Sequence, residues 1–153
     1  MGKPVDKIEF WKERLGYPEI RYSVYLTNKD DWDLINKTHK EILKELRGKV
    51  LDAGCGYGRA SEWIEDYTGI DFSPDFIEKA KELYPDKDFR IADLKDLPFK
   101  DKEFDWAFCI SVKKMIQANL GEDIWDIMEK ELKRVAKKVL ILEYSEPDKH
   151  EII

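Results

Sequence analysis

Glycines at every second position (Gly54, Gly56 and Gly58), an aspartate two residues ahead at Asp52, and further aspartates at Asp71 and Asp93 are the residues whose spacing could do chemistry. Without a side chain, glycine lets the backbone turn sharply and lets a ligand lie directly on it. The run Val50-Leu51-Asp52-Ala53 ahead of the turn reads as a buried strand, and Asp71 closes the next apolar run. A strand, a glycine turn, a helix and an acidic strand end together form the arrangement by which open parallel sheets hold nucleoside-bearing cofactors.

The glycine spacing separates two kinds of cofactor. The dinucleotide pattern G-x-G-x-x-G needs a third glycine for close helix packing, and counted from Gly54 and Gly56 that position holds Arg59. The chain carries D-x-G-x-G-x-G instead. A nicotinamide-dependent oxidoreductase is the weaker reading on that ground. The elements that must position these residues follow in order. Tyr67 to Ser73 reads as a short strand ending in Asp71, with Ser73 as a helix N-cap and Pro74 at the first helical position. Residues 76–83 supply the helix, stopped by Pro85. Residues 89–94 read as a strand ending in Asp93, and residues 104–111 as a fourth strand.

Taken together, the glycine pattern and this series over residues 48–111 resemble the class I S-adenosylmethionine-dependent methyltransferases. The resemblance implies an α/β fold: a three-layer Rossmann-like sandwich on a mainly parallel sheet of strand order 3-2-1-4-5. It also implies S-adenosylmethionine as the cofactor. Gly54, Cys55, Gly56 and Gly58 would floor the methionine part, with Asp52 near its amino group. Asp71 would accept hydrogen bonds from both ribose hydroxyls, which takes a carboxylate with two free oxygens. Phe72 would pack on the adenine, Asp93 and the Leu94 amide would meet its polar edge, and Ile110 would border the site from the fourth strand. The resemblance identifies no catalytic residue, and Ser111, Lys113, Tyr22 and Tyr25 are candidates by location alone.

Composition bounds the alternatives. At 153 residues the chain suits one domain, with residues 1–47 as a helical cap or lid and 48–145 as the core. No apolar run approaches eighteen residues and no signal-peptide pattern is present, which points to a cytoplasmic protein without a membrane span. A net charge of −6 argues against a large nucleic-acid footprint; the acceptor expected is a small molecule or a modified macromolecular end. Abundant lysine and glutamate beside a single glutamine, Gln117, suit a thermophilic source. Cys55 and Cys109 form no C-x-x-C pair, and with His39 and His150 as the only histidines no metal site is expected. Reduced, packed thiols are the expectation for both cysteines.

Helices flank the core. Ile8, Trp11 and Leu15 mark a first one; a second runs over about residues 30–47, with Trp32, Ile35, His39, Ile42, Leu43 and Leu46 on one stripe and Gly48 as its stop. His39 lies on that stripe and reads as a core histidine. Between the two helices, Arg21 or a tyrosine near it either closes the site or belongs to an aromatic patch that packs the two helices together. Ile124, Ile127, Met128, Leu132 and Val135 mark a later amphipathic helix, and residues 139–144 a fifth buried strand.

The chain departs from the family pattern after that strand. The usual sheet has seven strands, and residues 145–153 are too few for the closing hairpin. The fifth strand would then be an edge, to be covered by the charged tail or by a second subunit, and a homodimer is favoured slightly. No Pro-Gly-Gly turn precedes strand five, and the segment after strand four lacks the acidic and histidine pattern of many relatives, which leaves the acceptor open. The alternative function is a non-catalytic S-adenosylmethionine-binding subunit completed by a partner protein.

Overall fold

The computed structural model describes residues 29–153, with side chains from residue 33 onward. The N-terminal readings at Ile8, Trp11, Leu15, Arg21, Tyr22 and Tyr25, and the Trp32 side chain, lie outside the described residues. The described elements run α1 (Lys29–Leu43), β1 (Val50–Ala53), a 3-10 turn (Ser61–Trp63), β2 (Tyr67–Asp71), α2 (Pro74–Leu83), β3 (Asp88–Ile91), β4 (Phe104–Ile110), α3 (Lys113–Asn119), α4 (Glu122–Val135), β5 (Ala136–Leu142) and β6 (His150–Ile152). Strand order in the single sheet is β3-β2-β1-β4-β5-β6, parallel throughout except for the antiparallel β5–β6 pair.

A parallel sheet with both faces covered needs apolar side chains pointing both ways, and the central strands supply them by alternation. Leu51, Ala107, Cys109, Val139 and Ile141 face one layer, where Trp125, Met128 and Leu132 of α4 pack. Val50, Tyr67, Phe108, Leu140 and Leu142 face the other, against Leu43 of α1 and Ile77 and Ala80 of α2. Helices on both faces make the three layers. Cys55 and Cys109 fall in opposite clusters, each a buried free thiol.

The start of α2 follows its sequence signals. Ser73 takes extended backbone and its hydroxyl accepts from the Phe76 amide at 3.3 Å, with Pro74 opening the helix. Strand five begins at Ala136, directly after Val135 ends α4, and stops at Leu142, so it lies earlier than the expected residues 139–144.

Several expectations are corrected. The second helix ends at Leu43, and Gly48 lies in the link beyond it with φ +88°. The glycine turn is followed by a three-residue 3-10 turn rather than a helix, since only residues 59–66 separate the turn from β2. Strand three stops at Ile91, so Asp93 stands past its end. The tail does not form a hairpin, but it does contribute β6, with Ile141 registered on Glu151 and Leu142 on His150. Strand five is therefore not an edge, and the vacancy that favoured a homodimer is filled from within the chain. Among the described residues no helix is long and apolar enough to cross a membrane.

Candidate cofactor site

The glycine turn leaves β1 through left-handed backbone, with φ +86° at Gly54, +54° at Gly56 and +79° at Gly58. It hangs from the end of β2, because the amides of Gly54 and Cys55 both donate to the Ile70 carbonyl at 2.8 Å. The Gly58 amide donates to the Cys55 carbonyl at 2.9 Å and closes it.

Asp71, the last residue of β2, sits buried behind this turn. Its Oδ2 accepts from the Gly56 amide at 3.1 Å and its Oδ1 from the Ser73 amide at 3.0 Å. Burial pushes its carboxyl up, and the amides of Ser73, Gly56 and Phe72 pull it back. A carboxylate has about four lone-pair sites in all, so these backbone donors leave it acceptor capacity for a ligand.

Gly56 and Gly58 are required for different reasons. A Cβ at Gly58 would enter the Phe89 ring and stand 3.3 Å from Tyr84, so this glycine serves packing against α2 and β3. A Cβ at Gly56 would meet nothing within 4 Å among the described residues, so within them this glycine borders open space at the carboxyl end of the sheet. Cradle and acid stand together there.

Asp52 is buried one strand away and accepts from the Tyr67 hydroxyl at 2.6 Å. Burial pushes its carboxyl up to about 7; the Tyr67 hydrogen bond and the Arg59 charge work against the rise, and the Asp71 charge adds to it. Phe72 and Ile91, at neighbouring strand ends, are 41% and 56% exposed, an apolar pair open to solvent. Asp93 is exposed and folds back to accept from the Lys95 amide at 2.9 Å, with Leu94 half-buried beside it. Ile110 is half-buried at the end of β4. The sequence-derived residues thus fall along the carboxyl ends of β3, β2, β1 and β4.

A polar cluster beside the turn escaped the sequence reading. The Arg59 guanidinium donates to Asn36 of α1, lies 5.2 Å and 5.3 Å from the ring centres of Trp63 and Tyr144, and has Nη2 3.3 Å from His39 Nδ1. Arginine only donates, so Nδ1 accepts and the ring proton stays on Nε2. His39 is buried, as its place on the apolar stripe suggests, and burial followed by the Arg59 charge pushes its pKa down to about 4, against an opposing contact with the Glu143 backbone. The available signal was an arginine directly after the glycines, facing a histidine on an otherwise apolar stripe.

Two outcomes follow for stability. Gly58→Ala should cost about 3 kcal/mol or more through the Phe89 overlap and the left-handed backbone, whereas Gly56→Ala should cost about 1 kcal/mol from backbone strain alone; urea denaturation separates the two. For His39, the unfolded ring takes a proton below about pH 6.5 that the folded ring refuses until about pH 4. Stability should therefore be lost as pH falls through that window, by at most about 1.4 kcal/mol per pH unit. His39→Gln should remove that slope in denaturation series at pH 7, 5.5 and 4.5.

Comparison with known proteins agrees with this geometry. The family model for a methyltransferase domain matches residues 51–141. The chain is 33% identical over 96 residues to the putative methyltransferase 235L of Invertebrate iridescent virus 6, a match covering 56% of this chain and 36% of that protein. It is 37% identical over 82 residues to the O-methyltransferase rstn1 of Aspergillus nomiae, covering 46% of this chain and 36% of the relative. The chain thus spans little more than a third of the length of these curated relatives. The crystal structure of the PH0226 protein from Pyrococcus horikoshii OT3 superposes with a TM-score of 0.66 at 29% identity, covering 84% of this chain and 66% of that one. With the matched domain taking up more than half of its length, the chain belongs to the S-adenosylmethionine-dependent methyltransferase domain family.

Proposed function

We propose that the chain transfers a methyl group from S-adenosylmethionine to a small-molecule acceptor, with the cofactor lying across the carboxyl ends of β3, β2, β1 and β4. The observation that carries this reading is the space left at Gly56 among the described residues, beside a buried carboxylate that the Gly56 amide itself contacts. A left-handed glycine whose Cβ would meet nothing within 4 Å among the described residues fits a ligand-facing cradle. In this reading Asp71 holds both ribose hydroxyls, and the Phe72 ring, exposed beside it, lies on the adenine. Asp93 and the Leu94 amide take the polar edge of the base, Gly54, Cys55 and Gly56 floor the methionine part beside Asp52, and Ile110 walls it from β4.

Bound there, S-adenosylmethionine supplies a methyl group already activated by a sulfonium, so transfer needs chiefly an acceptor lone pair aligned with the carbon–sulfur bond. The protein's work is then positioning and exclusion of water. Gly58 belongs to the packing behind the turn rather than to its open face. Past β4, Ser111 is held at φ +55° with its hydroxyl accepting from the Tyr144 amide at 2.9 Å, and Lys113 pairs with Glu151 at 3.0 Å. Both are engaged in structure, which favours them as walls of the acceptor side over a proton-transfer role. The net charge of −6 supports a small or cationic acceptor over a polyanion.

Calorimetric titration with S-adenosylmethionine, S-adenosylhomocysteine and NAD tests the reading. Both sulfur nucleosides should bind and NAD should not. Asp71→Ala should lose binding, and so should Gly56→Ala despite near-native stability. Binding of NAD instead, or of neither sulfur nucleoside, would overturn it. Methyl transfer by the chain alone in an acceptor screen would dispose of the partner-dependent alternative.

A further inference from the structure

Asp52 and Gly69 are direct neighbours across the β1–β2 pair. Tyr67 stands two residues before Gly69 on the same strand, so both point to the same face of the sheet. The tyrosine ring does not rise away from the sheet; it lies along β2, and a Cβ on Gly69 would stand 2.7 Å from its hydroxyl oxygen and 2.9 Å from its ring. The missing side chain at Gly69 opens a lane through which the hydroxyl reaches Asp52 Oδ2 at 2.6 Å. The Phe89 ring, 5.7 Å away at 68° to the tyrosine ring, meets it edge-on.

We infer that Tyr67 is the positioning residue for Asp52: its hydroxyl, threaded over Gly69, aims the carboxyl at the ammonium end of the cofactor and favours its charged form there, so that cofactor binding depends on this one bond. The inference rests on the reading that S-adenosylmethionine binds across these strand ends. The groups acting on or around Asp52 are the Arg59 cation beyond the turn, the Asp71 carboxyl at the end of β2, and the thiols of Cys55 and Cys109. Burial raises both thiols, so they remain neutral. Burial and the Asp52 charge likewise raise the Tyr67 hydroxyl, so it stays protonated and can only donate to the carboxylate. A buried carboxylate that loses its donor takes up a proton more readily. Burial pushes the Asp52 carboxyl up to about 7, so loss of this one bond would shift it further toward the protonated form near neutral pH.

The test is the affinity for S-adenosylhomocysteine at pH 6.5 and pH 8.5, with each variant compared with the natural chain at the same pH so that the ligand's own titration cancels. Tyr67→Phe should weaken binding about five- to tenfold at pH 6.5 and less than about twofold at pH 8.5. Gly69→Ala, which closes the lane, should give the same pattern. Asp52→Asn should be weak at both pH values, and adding Tyr67→Phe to it should change nothing further. A loss of equal size at both pH values, or no loss, would overturn the inference. Carbon NMR titration of the Asp52 carboxyl in the ligand-free chain reads the same bond without cofactor: its midpoint should rise in Tyr67→Phe, and an unmoved midpoint would overturn the inference. If that midpoint rises while the natural chain binds no S-adenosylhomocysteine, it is the cofactor reading that fails, and the binding role of Tyr67 fails with it.

Discussion

One buried carboxylate holds this end of the molecule together. Asp71 bonds the Gly56 amide with one oxygen and the Ser73 amide with the other, joining the glycine turn to the first turn of α2. Neither segment is held in place by its own local contacts alone. A turn with three left-handed glycines gains little from its own contacts, and α2 is only ten residues long. The bonds from the Gly54 and Cys55 amides to Ile70 bring the turn to the same strand end. The cost of burying a charge there is offset by backbone dipoles already aimed at it, which is also what leaves the carboxylate ready for an outside donor.

The absence of a helix between β1 and β2 shifts work to α1. Only the short Ser61–Trp63 turn follows the glycines, and the cover on that side comes from Leu43 of α1 packed with Val50, Ala60 and Ile64. Arg59 ties the two together: its guanidinium bonds Asn36, sits against His39, and lies over the rings of Trp63 and Tyr144. An arginine at the position where a dinucleotide-binding turn would need glycine thus has a structural use. Its planar head can bond and stack at once, which lysine cannot do.

Much of this was legible in the sequence, and the parts that were not share a cause. The central strands and the Ser73 cap were readable because each rests on local signals: apolar runs, and a hydroxyl before a proline. Strand β6 was not readable, since His150, Glu151 and Ile152 are exposed and polar-mixed, and only the open edge of β5 makes them a strand. The early end of β3 was hidden because Ala92 and Leu94 continue the apolar character past Ile91, the last residue in register with β2. Within the site, the glycines and acids were visible by spacing. The bond from Tyr67 to Asp52 spans fifteen residues and depends on strand register, which spacing along one chain does not encode.

The junction at Val135 and Ala136 has a consequence for how this domain can change over evolutionary time. Helix and strand meet there with no residue between them, so the phase of the helix and the pleat of the strand form one rigid coupling. One residue added or lost would rotate Trp125, Met128 and Leu132 by about 100° about the helix axis relative to β5. Alternatively, it would turn Val139 and Ile141 to the opposite layer. Length variation is therefore barred at this point in the chain and confined to places such as the 143–149 segment before β6, where turn residues can absorb it.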